Sequence, residues 1–231
     1  MSESISGTGK PEVDVPAVQG AMDEGGEVFL EGQFNFGPTG NVLVSRAVRI
    51  SAEDVTIEGG QPPFTVETSD PVTIKNLRFS NVSKAAIEIH AVRDLLIAGC
   101  TIKQVIPVPT GQAADVASGI VVAATPGPIL GTLEIVDNDI TVGGTNVKYT
   151  IGIFVVGVGV QGKETTLIIS RNRISSITRH GIDVRNIVAK AAIGRNVIVM
   201  GEIGAQLPNT SGDQFVDGIR CWGYRQLFDR R

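Results

Sequence analysis

The sequence predicts an all-β protein: a right-handed parallel β-helix built from single strands, closed at its N-terminus by an α-helix. Two repeated strand templates and a column of asparagines at one turn carry this prediction. The 231 residues suffice for one domain with a core. A composition that is 42% hydrophobic and 19% charged is too apolar for a disordered chain. With 28 glycines and 5% aromatic residues, we expect many turns and an aliphatic core.

The first template is a strand followed by a turn, and it occurs five times. Its central isoleucines lie 23, 38, 34 and 24 residues apart, so the short spacings fit one coil and the long ones a coil with an inserted loop. The third residue after each isoleucine is Leu77, Cys100, Asn138, Asn172 and Asn196 in turn. Because amides bond backbone groups at turns, the three asparagines predict an inward-facing ladder. The five copies are VTIKNLRF (72–79), LLIAGCTI (95–102), LEIVDNDI (133–140), LIISRNRI (167–174) and AIGRNVI (192–198).

The second template follows each copy of the first, and its apolar residues alternate strictly. A short strand cannot bury its apolar side alone, whereas stacking on the same strand of the next coil, ~4.8 Å away, buries a continuous aliphatic column. The copies are AAIEIH (85–90), SGIVVA (118–123), IGIFVV (151–156), HGIDVR (180–185) and DGIRCW (217–222). The inward columns are Ile87, Ile120, Ile153, Ile182 and Ile219, then Ile89, Val122, Val155, Val184 and Cys221.

Glycine stands at the second position of four copies, where we expect it to mark a sharp corner. A Rossmann or barrel fold would need helices between its strands, and gaps such as 170–181 are too short and polar for that. A β-sandwich, the main rival, would not predict one two-strand template five times. The four glycines are Gly119, Gly152, Gly181 and Gly218.

The N-terminal segment predicts a cap over the first coil. Residues 11–26 read as a helix, with Asp14 as N-cap, Pro16 in the first turn and Gly25 at the end. Such a cap protects the open edge of the first coil. The whole chain then forms one domain. Its parts are the cap at 11–26, irregular first coils at 27–70, regular coils at 71–222 with loop insertions at 103–117 and 141–150, and a tail at 223–231.

The opening of the chain resembles that of pectate-lyase-like β-helix proteins. The resemblance rests on Asp-Val-Pro-Ala-Val-Gln (14–19), Gly-Gly (25–26), Val-Phe-Leu (28–30) and Gly-Gln-Phe (32–34). The later I-x-x-x-N-x-I and G-I-x-V repeats resemble the same superfamily, so the resemblance covers nearly the whole chain. It implies the fold but not an activity, because that superfamily includes lyases, hydrolases, esterases, epimerases and non-catalytic phage proteins. The chain lacks the full catalytic motifs of a polygalacturonase, a pectate lyase or a pectin esterase.

The outward residues of the second template form a face whose character changes along the chain. Its middle, Val121, Ala123, Phe154 and Val156, is apolar. An exposed patch of this kind is unusual. We expect it to be covered by the inserted loops or by a second copy of the chain in a homo-oligomer.

The C-terminal end of this face is polar, and its residues come from adjacent coils. Asp183 should lie beside Arg220, and His180 beside Asp217. Their chemistry suits a catalytic trio of His180, Asp217 and Asp183 for proton transfer. Arg185, Arg220 and Trp222 would bind substrate, through carboxylate contacts and ring stacking. A structural ion-pair network on an exposed coil is the competing interpretation.

Two function classes follow. The first is a carbohydrate-associated protein, a lyase or glycoside hydrolase acting on an acidic polysaccharide. The second is a non-catalytic structural or binding module, similar to an adhesin or a tail spike. Residues 171–231 hold twice as many basic as acidic side chains, which favours an anionic partner. Few aromatics and a net charge of −4 argue against nucleic acid.

The sequence does not indicate a metal or cofactor site, a membrane span or a secretory signal. The two cysteines, Cys100 and Cys221, have no metal-site spacing around them, so we expect buried thiols and neither a metal nor a cofactor. The longest apolar run, 151–160, is far shorter than the ~20 residues of a membrane span. Residues 1–10 lack the apolar core of a secretory signal. We expect a soluble chain and leave its location open, with an extracellular one compatible with the fold.

Overall fold

The computed structural model of the chain describes residues 2–106, 116–143, 149–200 and 217–222. These ranges hold one α-helix and nineteen strands, and the registers that pair the strands are parallel. The strands wind into a right-handed β-helix, which confirms the predicted fold class.

The N-terminal half starts with a strand and the helix, and then enters the coils. Its elements are β1 (Ser2–Ser6), α1 (Pro11–Glu24), β2 (Gly26–Gly37), β3 (Val42–Val44), β4 (Val48–Gly59), β5 (Phe64–Glu67), β6 (Val72–Lys75), β7 (Arg78–Ser83), β8 (Ala85–Ala98) and β9 (Thr101–Ile106). β1 was not expected from the sequence, and it pairs in parallel with the start of β2.

The second half repeats a three-strand coil with inserted segments. Its elements are β10 (Val116–Ala123), β11 (Ile129–Val136), β12 (Asp139–Thr141), β13 (Tyr149–Val156), β14 (Thr165–Ser170), β15 (Arg173–Ile177), β16 (His180–Arg185), β17 (Lys190–Gly194), β18 (Val197–Met200) and β19 (Asp217–Trp222).

The strands form three stacks that run the length of the helix. The first stack contains β3, β5, the start of β8, β10, β13, β16 and β19. The second stack contains β1, the starts of β2 and β4, β6, the end of β8, β11, β14 and β17. The third stack contains the ends of β2 and β4, then β7, β9, β12, β15 and β18.

Register in the first and second stacks confirms the predicted columns. In the first stack Ile87 pairs with Ile120, and Ile153 with Ile182. All four are fully buried. In the second stack, the central isoleucines of the first template pair in the same way. The core is therefore one continuous aliphatic column enclosed by the three stacks.

The asparagine ladder forms at the turn between the second and third stacks. The Asn138 Nδ2 donates to Asn172 Oδ1 at 2.9 Å, and the Asn172 Nδ2 donates to Asn196 Oδ1 at 3.0 Å. The Asn172 Nδ2 also donates to the Ile135 carbonyl oxygen at 2.9 Å. Asn138 and Asn172 are buried, so each amide satisfies backbone groups that would otherwise lose their hydrogen bonds in the core. The predicted inward ladder is confirmed.

The template glycines play a different part from the predicted one. Gly181 lies inside β16 and not at a corner. A Cβ added there would lie 2.6 Å from both the Gly218 carbonyl oxygen and the Ile198 Cγ2, closer than any real Cβ contact. The position therefore needs glycine because a neighbouring strand and an inward isoleucine of the third stack leave no room for a side chain.

The N-terminal cap contains the predicted helix, but its start was placed wrongly. α1 begins at Pro11 with Lys10 as N-cap, so Asp14 is inside the helix and Pro16 lies beyond the first turn. Asp14 is buried, and its carboxylate accepts hydrogen bonds from the Thr8 and Asn35 backbone N–H groups at 2.8 Å. It therefore ties the helix to β2 and to the preceding segment. Among the described residues, α1 is too short and too polar to cross a lipid bilayer.

The two cysteines have different surroundings. Cys100 is buried, as expected, and burial raises the pKa of its thiol to about 12 against weaker opposing backbone hydrogen bonds. Its thiolate is therefore negligible at neutral pH. Cys221 is only half-buried, because it stands in β19, the last described strand of the first stack.

Candidate functional site

The candidate site lies on the side of the first stack that points away from the core, which we call the outer face. Cross-strand pairs align its side chains into two columns. The first column contains Thr65, Glu88, Val121, Phe154, Asp183 and Arg220. The second contains Ala123, Val156, Arg185 and Trp222. The predicted columns are therefore present in this register.

The apolar middle of the outer face is partly accessible. Val121, Ala123, Phe154 and Val156 are all half-buried. The segments predicted to cover them are 103–117, 141–150 and 156–164, and the first two lie in part outside the described residues. Cover by these loops or by a second copy therefore stays a prediction.

Asp183 is the best-enclosed charge of the face, and Arg185 is its partner. Asp183 is fully buried, and the Arg185 Nε donates to its two oxygens at 2.9 and 3.0 Å. A second guanidinium nitrogen, Nη2, also donates to Oδ2. The hydrogen bonds to Asp183 raise the pKa of Arg185, although partial burial opposes them. Arg185 also lies over the Phe154 ring, 5.2 Å from its centroid, so one edge of its guanidinium contacts a carboxylate and one face contacts an aromatic ring.

His180 is the second buried group, and its ring contacts Arg220. The Arg220 Nη1 lies 3.2 Å from the His180 Nε2, while the Asp183 Oδ2 lies 3.9 Å from that nitrogen. A guanidinium can only donate, so this contact is a hydrogen bond in the tautomer whose Nε2 carries no proton. Arg220 therefore contacts His180 rather than serving as the main partner of Asp183, although the Arg220 and Asp183 backbones are paired between β19 and β16 as predicted.

Arg220 and Trp222 form the accessible edge of the cluster. The Arg220 guanidinium carbon lies 5.4 Å from the Trp222 ring centroid, and Trp222 is 64% exposed. The Asp217 backbone pairs with His180, but the Asp217 side chain lies outside the described residues. We use the name C-terminal cluster for His180, Asp183, Arg185, Arg220 and Trp222.

The cluster thus contains two fully buried groups, His180 and Asp183, two half-buried arginines and the exposed Trp222. Arg185 is engaged by Asp183 and Phe154, whereas Arg220 contacts His180 and lies beside the exposed Trp222 ring. The proton-transfer roles predicted for His180, Asp217 and Asp183 stay predictions, and so does ligand binding by Arg185. In the part of the chain that the structure describes, no three His, Cys, Asp or Glu side chains lie together as a metal site requires.

Sequence reasoning missed two contacts on this face. Phe154 had been assigned only to the apolar middle, yet it packs against Arg185 of the neighbouring column. At the other end of the face, Glu88 is buried, and the Lys84 Nζ lies 2.9 Å from its Oε2. The His90 Nε2 is farther away, 3.5 Å from the Glu88 Oε1. The Phe154–Arg185 contact was foreshadowed by the two neighbouring columns, whereas the Lys84–Glu88 pair depends on the turn before β8, where Lys84 has a positive φ.

Comparison with known families agrees with the geometry. A family model described as a right-handed β-helix region matches residues 40–218, well over half of the chain. The chain therefore belongs to this β-helix family, and the resemblance to pectate-lyase-like β-helices is confirmed. No curated protein and no solved structure gave a significant match. Because a fold of this kind hosts many activities, function has to be argued from the site.

Proposed function

We propose that this protein binds an acidic polysaccharide at the C-terminal end of the outer face, with Arg220 and Trp222 as the contacting side chains. The observation that supports this most is the exposed Trp222 ring with the Arg220 guanidinium 5.4 Å from its centroid. A flat aromatic ring next to a planar cation suits a ligand that has an apolar ring face and a carboxylate.

The chemistry of the pair fits a uronic acid. An indole packs its face against the C–H groups of a sugar ring while its polar N–H stays in solvent. A guanidinium forms two parallel hydrogen bonds with a carboxylate, which a lysine ammonium cannot do. Arg220 is also held by the buried His180, so less side-chain entropy is lost when the ligand binds.

The surroundings favour binding over cleavage. His180 and Asp183 are fully buried, and each is hydrogen-bonded to an arginine. A general acid or base must lie within hydrogen-bond reach of the substrate proton that it moves. The accessible groups, Arg220 and Trp222, are suited to holding a ligand rather than to transferring protons.

Calorimetric titration with a galacturonate trimer tests the proposal. We expect Arg220→Gln and Trp222→Ala each to weaken binding at least tenfold, which corresponds to about 1.4 kcal/mol. Arg173→Gln is the matched control, because Arg173 is an exposed arginine of β15 in the third stack. A neutral glucose trimer should bind far more weakly than the galacturonate trimer. Equal affinity of wild type and both site variants would contradict the proposal.

The same samples distinguish binding from catalysis. New unsaturated ends would indicate a lyase, and new reducing ends without unsaturation would indicate a hydrolase. The binding proposal predicts neither. Turnover that is lost in a folded His180→Ala variant would instead support the proton-transfer role of His180.

A structural module that assembles through its C-terminal coil is the second candidate. Three apolar side chains of the last described coil are exposed: Val197 by 54%, Val199 by 48% and Ile219 by 47%. Such a concentration of apolar surface is typical of an interface between protein chains. A stable oligomer in light scattering that dissociates in Val197→Lys would support this candidate. A monomer at every concentration would contradict it.

A further inference from the structure

We propose a second binding site for an acidic saccharide, on the outward side of the second stack at its first coils. This site is a concavity of about 450 Å³. Its lining side chains are Glu27, Phe29, Arg49, Ser51, Thr73 and Lys75. The inference goes beyond the proposed function and shares with it only the class of ligand.

The register of three strands brings these residues together. Glu27 of β2 pairs with Arg49 of β4, and Arg49 pairs with Thr73 of β6. In the next outward column, Phe29 pairs with Ser51. Three strands ~4.8 Å apart and two columns roughly 7 Å apart give a patch of about 10 by 7 Å, large enough for a sugar ring.

The chemistry of the patch suits an anionic sugar. Phe29 is half-buried and offers a ring for stacking against C–H groups. The Ser51 and Thr73 hydroxyls can donate to or accept from sugar hydroxyls. Arg49 and Lys75 supply two cations against the one carboxylate of Glu27. An anion is therefore favoured over a neutral sugar.

The Arg49 guanidinium remains available to a ligand. Its Nη1 lies 3.7 Å from the Glu27 Oε1, and both side chains are mostly exposed. An exposed pair at this distance contributes little to stability, so a ligand carboxylate can compete for the guanidinium. Glu27 can then accept a hydrogen bond from a sugar hydroxyl.

The basic patch ends after three strands. Along the Arg49–Thr73 column, the next residues are Leu96 of β8 and Glu134 of β11. Their apolar and acidic side chains limit the site to a short stretch of ligand. The site belongs to a different stack from Arg220 and Trp222, and it lies near the opposite end of the helix. One polysaccharide with many carboxylates could therefore engage both sites, which raises its overall affinity without new contacts.

Backbone amide NMR with the galacturonate trimer tests this site in a Trp222→Ala background, where the first site is weakened. We expect saturable shift changes in β2, β4 and β6. Arg49→Gln with Lys75→Gln should weaken this binding at least tenfold, and Phe29→Ala should act in the same direction. The matched control is Lys103→Gln with Arg173→Gln, which removes the same charge from the exposed side of the third stack.

Each outcome separates this inference from the proposed function. Shifts confined to β16 and β19 in wild type, with none in β2, β4 and β6, would overturn the second site and leave the first. In wild type, shifts confined to β2, β4 and β6 would support the second site and contradict the first, and the absence of any shift in wild type would contradict both. Inorganic phosphate producing the same saturable shifts would overturn the saccharide class. The charge-removing double variant keeps the test valid if Phe29→Ala does not fold, since its side chains lie on the surface.

Discussion

The middle coils and the last described coil have the same sequence pattern but different surroundings. Ile153 and Ile182 occupy the inward column of the first stack and are fully buried, whereas Ile219 in the same column is 47% exposed. Gly181 shows the same contrast with Gly218, because an added Cβ would clash at Gly181, whereas at Gly218 it would meet no atom of the described residues within 4 Å.

This difference arises from stacking and not from composition. A strand in the middle of the stack is covered by a coil on each side, and both neighbours contribute to its burial. β19 pairs with β16 on one side, and within the described residues no strand pairs with its other edge. The opposite end of the helix is covered by α1, whose Val18 and Met22 are fully buried. The C-terminal coil therefore presents the accessible side chains, Trp222 among them.

The largest expected effect comes from truncating a side chain of the inward column, compared at a middle coil and at the last described coil. Ile153→Ala should lower the free energy of unfolding by about 2–5 kcal/mol, because it leaves a cavity in the closed core. Ile219→Ala should cost about 1 kcal/mol or less, since half of that side chain already contacts solvent. Guanidinium unfolding curves give both values. Equal losses would show that β19 is as well covered as β13.

The asparagine ladder allows the same comparison with polar groups. Asn172→Ala removes the hydrogen bond to the Ile135 carbonyl and the acceptor for Asn138, and should cost about 2–4 kcal/mol. Asn196 is only half-buried, so water can replace its amide, and Asn196→Ala should cost about 1 kcal/mol. Unfolding by denaturant measures both variants. A larger loss for Asn196→Ala would contradict the proposed gradient of burial.

Replacing the template glycines should change the free energy of unfolding less, but the two positions should differ clearly. Gly181→Ala should cost about 1–3 kcal/mol, because Ile198 and the β19 backbone must shift to admit the methyl group. Gly218→Ala should stay within about 0.5 kcal/mol of wild type. Thermal unfolding of the two variants is a sufficient measurement. A neutral Gly181→Ala variant would show that this close packing does not hold in solution.

The smallest expected effect lies on the surface of the turn that carries the ladder. The Arg171 Nε and Nη2 donate to the Asp137 carboxylate at 2.7 and 2.8 Å, and these bonds lower the pKa of Asp137. The two hydrogen bonds stabilise the folded state fully at pH values above the ordinary pKa of an aspartate. This stabilisation is lost as the pH falls through the lowered pKa of Asp137. Carbon-detected NMR titration should show the lowered midpoint. Arg171→Gln should return it to the usual range, and an unchanged midpoint in that variant would contradict the assignment.

Much of the fold could be predicted because it follows from side-chain alternation. Strict period-two patterns repeated at coil spacing defined the inward columns and the residues of the next coil that pair with Asp183 and His180. The asparagine ladder followed from three amides at one template position. These features depend on backbone register, which a repeated pattern specifies.

What the sequence could not predict depends on side-chain conformation and close packing. Arg185 rather than Arg220 takes the Asp183 carboxylate, because two arginines lie within reach and only their rotamers decide between them. The role of Gly181 depends on Ile198, a residue of another stack. The start of α1 was misplaced because Asp14 matches the preference for an N-cap but bonds β2 through a tertiary contact.

Quenching of Trp222 fluorescence by acrylamide tests the proposed binding site most directly. Trp222 is the single tryptophan in the sequence, so the emission reports on this position alone. In the free protein we expect efficient quenching, in line with its 64% exposure. A galacturonate trimer should protect the indole, and a glucose trimer should not. Equal quenching with and without the galacturonate trimer at saturating concentration would contradict binding at Arg220 and Trp222.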